Sequence, residues 1–221
     1  MIKFGFAAIA AVLAAAASTA AAAAPADTAG AFNGPFVGIQ GGWQQDRLRY
    51  NSVDALGNFS SGHSNGSGFG YGGQVGYDYR LQSNLVLGAE ASVTGRTGHA
   101  AFDNGFGQLA NDRFGRTINA TGRLGMVFGA SGGLGYFRGG YSNTRILFDD
   151  GVARQGYNRD GYTVGVGYEQ AITRHVSARL EYNYADYGHG DATPTAVDYG
   201  AVSGDTRLHS NAVTAGLNFH F

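Results

Sequence analysis

The chain contains no cysteine, one lysine, three prolines and few charged residues. The absence of cysteine excludes disulfides, thiolate metal sites and cysteine nucleophiles. Charged residues make up 14% of the 221 positions, against a usual share of about 25%, and the formal net charge is -1. That balance provides no electrostatic attraction for a polyanion, so we expect no nucleic-acid partner.

Glycine and aromatic residues, by contrast, are abundant: the chain has 38 glycines, 13 tyrosines and 14 phenylalanines. The glycines show no Gly-X-Y period, which excludes a collagen-like helix. Disordered chains are poor in aromatic residues, so this composition predicts a folded chain. The length suits one domain.

The N-terminus carries Lys3, an apolar run over residues 4–17 and then small residues of the A-x-A type. This order is typical of a cleaved secretory signal peptide, and a membrane anchor is the alternative. We predict a signal peptide over residues 1–23, a flexible lead-in over 24–33 and a single folded domain over 34–221. Export without cysteine suits a protein of the cell envelope.

Apolar and polar residues alternate in the stretch GFGYGGQVGYDYRL, and seven further segments show the same period of two. Such segments of about ten residues are the signature of membrane-barrel strands. The Gly139–Gly140 pair in the fifth segment favours a bulge, which leaves the register of that strand open. The eight predicted strands cover residues 35–44, 68–81, 84–96, 116–129, 133–148, 161–170, 175–187 and 211–221.

The connections between these segments alternate between short and long. Tight turns are predicted at residues 82–84, 130–132 and 173–175, and long polar loops at 51–67, 97–115, 149–159 and 188–205. Short periplasmic turns and long outer loops are typical of outer-membrane barrels. We therefore predict an all-β fold, an eight-stranded antiparallel up-and-down transmembrane β-barrel in the cell outer membrane.

Aromatic residues of the apolar face fall at two levels along the predicted barrel. Near the periplasmic ends we place Phe36, Tyr77, Tyr79, Phe128, Tyr168, Phe219 and Phe221. Near the outer ends we place Trp43, Phe69, Tyr71, Tyr162, Tyr182 and Tyr184. Two aromatic girdles around an aliphatic band indicate a lipid-facing surface. The alternative is a soluble binding barrel of the lipocalin type, which would turn the apolar face inward.

The other face would fill the lumen, and it carries charge at Asp78, Arg80, Glu90, Arg123, Glu169, Arg179 and Glu181. Buried charges must be paired, so we expect arginine–carboxylate bridges within one set of five residues. This predicted polar network consists of Glu90, Arg123, Glu169, Arg179 and Glu181. It would be either a static structural plug or a narrow path for water or ions. Inward glycines that would leave space for such a path are Gly38, Gly42, Gly70, Gly72, Gly165 and Gly167.

The C-terminal TAGLNFHF, with Thr214, Gly216, Phe219 and Phe221, resembles the signal that the outer-membrane assembly machinery recognises. The segments FNGPFVGIQGGW (32–43) and GYTVGVGYEQAITRHVSARLEYNYADYG (161–188) resemble the small porin-family outer-membrane proteins of alphaproteobacteria. That family includes the 25 and 31 kDa outer-membrane antigens of Brucella and related haemin-binding barrels. The resemblance implies envelope-structural, weak-pore or host-surface roles and no common catalytic site. The partners that it implies are outer-membrane lipid, the assembly machinery, and host or envelope surface ligands.

No residue pattern indicates catalysis or a bound cofactor. Ser92, Ser177 and Ser203 have no evident histidine and acid partners at a convincing spacing, so we expect no enzyme. The six histidines show no metal-ligand spacing. Haem capture through His63, His99 or His189 follows only from the resemblance to haemin-binding members. We therefore predict no catalytic, metal or cofactor residue.

Overall fold

A computed structural model describes residues 31–54, 59–81, 84–97, 100–103, 109–128, 132–149, 154–191 and 201–221. The predicted signal peptide and residues 24–30 of the predicted lead-in lie outside these ranges. Among the residues that the structure describes, no helix is long and apolar enough to cross a membrane.

Nine β-strands make up the described fold, and all neighbouring strands are antiparallel. The strands are β1 (Gly34–Asp54), β2 (Phe59–Arg80), β3 (Leu85–Thr97), β4 (Ala100–Asp103), β5 (Leu109–Phe128), β6 (Gly133–Asp149), β7 (Arg154–Ala171), β8 (Val176–Asp191) and β9 (Ala201–His220).

The sheet closes into a barrel with eight strand positions, because β3 and the short β4 share one position. Strands neighbour in the order β3, β2, β1, β9, β8, β7, β6, β5, and β3 also pairs with β5. Both β3 and the short β4 pair with β5, and β4 continues the line of β3. Thr94 of β3 pairs with Thr117, and Ala100 of β4 pairs with Asp112. The predicted eight-stranded antiparallel barrel is therefore confirmed.

The closed barrel is staggered, as strand tilt requires. Following paired residues once around the ladder from Pro35 leads back to β1 at Gln45, ten positions further on. The successive partners are Tyr77, Ala89, Gly122, Gly139, Val164, Tyr184, Asn211 and Gln45.

The strands are longer at the outer end than the sequence predicted. Most of the predicted loop 51–67 is β-ladder, because β1 continues to Asp54 and β2 begins at Phe59. The predicted loops 97–115, 149–159 and 188–205 are likewise shortened by strand residues at both ends. The loop prediction was wrong because the period-two signal needs one apolar face. Above the hydrocarbon the outward face of a strand meets water and need not be apolar, so the alternation disappears.

The register of β6 is continuous through Gly139 and Gly140, so the bulge considered for this pair does not occur. The register shifts instead at other sites, one of them on β5 between Phe114 and Thr117. A Cβ atom on Gly140 would lie 2.2 Å from the Ala120 carbonyl oxygen. Glycine is needed here because the backbones of two strands approach closely.

The outward face is apolar and the inward face is polar. Val75 on β2 faces outward with 54% of its surface exposed, whereas Glu90 faces the lumen with 5% exposed. The aromatic residues predicted for the two girdles face outward, with one exception. Phe36 is 1% exposed and faces the lumen, because it shares the register of Gly38 and Gln40. Its assignment to the periplasmic girdle was wrong.

The outward face generates a stability prediction. Val75→Arg places a charge near the middle of the apolar band and should lower the free energy of unfolding by about 2–4 kcal/mol. The control Gln45→Arg lies on the exposed outer part of β1 and should cost about 0–1 kcal/mol. Urea unfolding in lipid vesicles measures both. Equal stability of the two variants would contradict a lipid-facing surface.

Candidate functional site

The candidate site is the charged interior of the barrel, which the inward positions of six strands build. Each position lies on the register opposite to the apolar face, so strand alternation turns it toward the lumen. Every side chain of the set is buried. The set comprises Asp78 on β2, Glu90 on β3, Arg123 on β5, Arg138 on β6, Glu169 on β7, and Arg179 and Glu181 on β8.

The layer nearer the periplasm is centred on Arg123. Its Nε donates to Asp78 Oδ1 at 2.7 Å, and its Nη1 donates to Glu169 Oε2 at 3.0 Å. The guanidinium also lies 4.6 Å from the centroid of the Phe36 ring. Arg123 thus connects β5 to β2 and β7 across the bore, with an aromatic ring as a third contact.

The layer above it is a closed ring of two arginines and two glutamates. Arg138 Nη1 lies 2.8 Å from Glu181 Oε2 and 3.2 Å from Glu90 Oε1. Arg179 Nη1 lies 2.6 Å from Glu90 Oε2 and 3.4 Å from Glu181 Oε1. Positive and negative charges therefore alternate around the ring, and each charge contacts two of opposite sign.

Neutral side chains bond to further polar atoms of the ring, whereas the Nε atoms of Arg138 and Arg179 have no hydrogen-bond partner among the described residues. Tyr136 donates to Glu181 at 2.5 Å, and Asn183 donates to the same carboxylate at 3.2 Å. Arg179 donates to Gln40 Oε1 at 2.9 Å, and Arg138 donates to the Thr121 hydroxyl at 3.1 Å. Such additional bonds are what a buried ion-pair network needs to offset the loss of hydration.

The structure brings together all five residues of the predicted network, and it adds two residues. Arg138 was missed because the register of β6 was left open by the sequence. Asp78 was recognised as inward-facing but was not assigned a bridge. Arg80 shares the inward register, yet its guanidinium reaches Asn84 at 2.8 Å in the turn after β2. It therefore belongs to the barrel end and not to the network.

Gly167 of the predicted inward glycines, and Gly76 in the inward register of β2, make room for aromatic rings. A Cβ atom on Gly167 would lie 2.4 Å from the Tyr136 ring, and one on Gly76 would lie 2.4 Å from the Phe36 ring. The periplasmic mouth is occupied by Phe32, which is fully buried. The rings of Phe32 and Phe36 both contact His220, each at a ring-centroid distance of 5.6 Å.

Above the ring lies a cavity of about 70 Å³. Its lining is mostly small and polar and includes Gln44, Ser92, Asn119, Ser142 and Thr163. Ligand pockets usually have about 300–1,000 Å³, so this space suits a few water molecules and not a drug-sized ligand. Nearer the outer end, Arg96 forms a buried ion pair with Asp46.

Ser177 has a glutamate and a histidine as partners, which the spacing of these residues in the sequence does not reveal. Its hydroxyl contacts Glu169, and its Oγ lies 2.9 Å from His220 Nε2. Glu169 Oε1 lies 3.4 Å from the same Nε2 atom. A catalytic relay needs the acid at Nδ1 and the serine at Nε2. Serine and acid here share one nitrogen, so the geometry is that of a structural hydrogen-bond cluster.

Ser92 and His63 lie apart from this cluster. Ser92 accepts a hydrogen bond from Asn119 at 3.2 Å inside the lumen. His63 is exposed on the outer part of β2. His99 and the side chains of His189 and Ser203 lie outside the described residues. Within the described ranges, no group of three or more His, Cys, Asp or Glu could hold a metal ion.

The C-terminal strand completes the barrel next to β1. Thr214 and Gly216 face the lumen, whereas Phe219 and Phe221 face outward and are exposed. The backbone N–H of Phe221 donates to the Pro35 carbonyl oxygen at 3.1 Å. The two terminal residues of the barrel therefore meet at the periplasmic end.

Comparison with known proteins gives matches over nearly the whole chain. The family model described as outer membrane protein beta-barrel domain matches residues 8–221. The 31 kDa outer-membrane immunogenic protein of Brucella melitensis is 31% identical over 237 residues, covering 99% of this chain and 95% of the relative. The 22 kDa outer membrane protein of Rhizobium leguminosarum bv. viciae is 29% identical, covering 89% and 82%.

Two solved structures share the fold. Neisserial surface protein A aligns with a TM-score of 0.51 and 18% identity, over 86% of this chain and 98% of that protein. Outer membrane protein OprG of Pseudomonas aeruginosa aligns with a TM-score of 0.50 and 13% identity, over 88% and 100%.

The network generates a second stability prediction. Arg123→Met leaves the carboxylates of Asp78 and Glu169 without their main counter-charge and should lower the free energy of unfolding by about 3–5 kcal/mol. The control Arg116→Met removes an exposed arginine from the same strand and should change it by about 0.5 kcal/mol or less. Urea unfolding of the two variants makes the comparison. A loss no larger than in the control would show that the lumen charges are hydrated.

Proposed function

Because the chain belongs to the outer membrane β-barrel domain family, we propose that it is a closed scaffold of the outer membrane. In this proposal the lumen network is a structural plug. The outer strand extensions present a polar surface to envelope or host ligands, and the barrel forms no diffusion channel.

The observation that carries the proposal is the ring of Arg138, Glu181, Arg179 and Glu90. An ion crossing the barrel would have to separate these pairs, in a lumen that eight strands leave just wide enough for side chains. Phe32 in the periplasmic mouth and the Arg123 layer add two further obstacles on the same path.

The surface role is supported by the length of the strands beyond the outer girdle. β1 continues from Trp43 to Asp54, a strand length of about 35 Å at roughly 3.3 Å per residue. Its partner β2 carries mainly Ser, Asn and Gly there, with His63 and a highly exposed Phe59. The Brucella relative is named an outer-membrane immunogenic protein, which agrees with a surface that host molecules meet.

We also infer that the outward Phe219 and Phe221 are the feature that the assembly machinery recognises. Both rings are exposed on the strand that pairs with β1 to close the barrel. An exposed aromatic terminus is accessible before closure, when the machinery must distinguish this strand.

Planar-bilayer recording tests the plug. The purified wild-type protein should give no sustained single-channel steps, because the ring closes the lumen. Arg138→Ala combined with Glu181→Ala removes one charge of each sign, and steps should appear once Arg123→Ala and Phe32→Ala also remove the two further obstacles. The control Arg145→Ala with Asp160→Ala removes the same charges from the outer surface and should stay silent. Sustained steps from the wild-type protein would refute the plug and favour a narrow pore.

Cysteine labelling tests the surface role, since the chain has no cysteine of its own. Ser61→Cys on the outer part of β2 should react with a membrane-impermeant maleimide on intact cells. The control Arg174→Cys, in the turn between β7 and β8, should react only after the outer membrane is permeabilised. The opposite pattern would mean that the long strands point into the periplasm.

A further inference from the structure

A cluster of basic side chains lies on the outside of the barrel, immediately above the outer aromatic girdle. It consists of Arg47 and Arg49 on β1 with Arg207 and His209 on β9, and we refer to it as the basic patch. Arg47 lies opposite His209, and Arg49 lies opposite Arg207. These positions face outward, in the same registers as Trp43 and Val213. The patch therefore lies on the same outer surface as the lipid-facing residues, nearer the outer end of the barrel.

The basic patch has fewer acidic partners than the lumen. Inside the barrel, three arginines of the network meet four carboxylates. In the patch, Arg207 Nη2 lies 3.2 Å from Asp186 Oδ2, and His209 Nδ1 lies 3.4 Å from the same oxygen. Among the side chains described around it, Asp186 is the one carboxylate in contact with the patch. The Arg207 side chain is still 47% exposed.

The pairing of Arg49 with Arg207 is costly in an isolated sheet. Like charges directly opposite on neighbouring strands repel and destabilise the pair. The lumen resolves the same problem, because Arg123 and Arg138 are also direct partners and each of them forms ion pairs with carboxylates. Among the described side chains, Arg207 contacts Asp186, but no carboxylate contacts Arg49. An anion from outside the chain would supply the missing negative charge.

The surroundings of the patch indicate which kind of anion fits. Trp43 lies below Arg47 on the same strand and is 53% exposed to the region of acyl chains. The Tyr184 hydroxyl lies 2.7 Å from His209 Nδ1, and the two rings stack at 5.9 Å. Tyr182 donates to Asn211 Oδ1 at 2.7 Å. A ligand that reaches the patch therefore also meets an aromatic and apolar wall, which suits an amphipathic molecule.

We propose that the basic patch binds the phosphate groups of a phosphorylated glycolipid in the outer leaflet, with its acyl chains against Trp43 and Val213. Guanidinium groups bind phosphate oxygens through paired hydrogen bonds, a geometry that lysine does not provide. Lys3, in the predicted signal peptide, is the one lysine in the chain, so all basic groups of the barrel other than histidine are arginines. A free phosphate ion would use the arginines alone and gain nothing from the apolar wall.

The test is a titration of the detergent-solubilised full barrel with bis-phosphorylated lipid A. Trp43 is the one tryptophan of the chain, so its emission reports binding below the patch. Arg49→Gln with Arg207→Gln should weaken binding about tenfold or more, the loss expected for one or two charge-assisted hydrogen bonds. Dephosphorylated lipid A should bind the wild-type protein as weakly as phosphorylated lipid A binds this variant.

The matched control is Arg116→Gln with Arg145→Gln, which removes two exposed arginines from β5 and β6 on the opposite wall. This variant should bind lipid A within about threefold of the wild-type protein, because the patch is intact. An equal loss in both variants would overturn the site, since attraction would then depend on overall charge. Wild-type affinity in the Arg49→Gln, Arg207→Gln variant, or displacement by inorganic phosphate, would also overturn it.

Discussion

Closure of the backbone ladder is the constraint on which the rest of this structure depends. Hydrocarbon provides no partner for a peptide N–H or C=O group, and each unpaired group costs several kcal/mol there. The pairing of the last strand, β9, with the first, β1, removes the two edges that an open sheet would expose. Once the sheet is closed, alternation along every strand divides the residues into a lipid-facing set and an enclosed set.

Enclosure explains why the lumen charges form a network. The bore of an eight-stranded barrel is too narrow to hydrate seven charged groups, so each must find partners on other strands. The bond from Arg179 to Glu90 joins residues far apart in the chain, and the bonds from Arg123 join β5 to β2 and β7. The same charges that would be costly alone therefore connect the walls of the barrel. On the outside of the barrel, lipid headgroups and water replace protein partners. There the arginines of the basic patch have fewer carboxylates in contact than the lumen arginines have.

Particular residues show how far local sequence patterns could predict this site. Glu90, Arg123, Glu169, Arg179 and Glu181 were assigned to the lumen because each lies in a clear period-two segment. Arg138 was missed because glycines interrupt the apolar face of β6, so that alternation gives no register there. Phe36 faces the lumen because its position in β1, and not its aromatic character, decides which face it lies on. The partners of Ser177 cannot be identified from local sequence, because Glu169 and His220 lie on the two strands that flank β8. Only the pairing of those strands brings them to Ser177.

The sequence by itself determined the number of membrane strands, the face of most of them and the family, because these depend on periodicity within single segments. Only the tertiary structure decided which arginine meets which carboxylate, how far the strands continue above the membrane, and that Arg49 faces Arg207. Pairing partners depend on the stagger accumulated around the whole barrel, from Pro35 to Gln45, and no single segment contains that quantity. Above the membrane the strands continue through backbone hydrogen bonds, which leave no periodic pattern in the side chains.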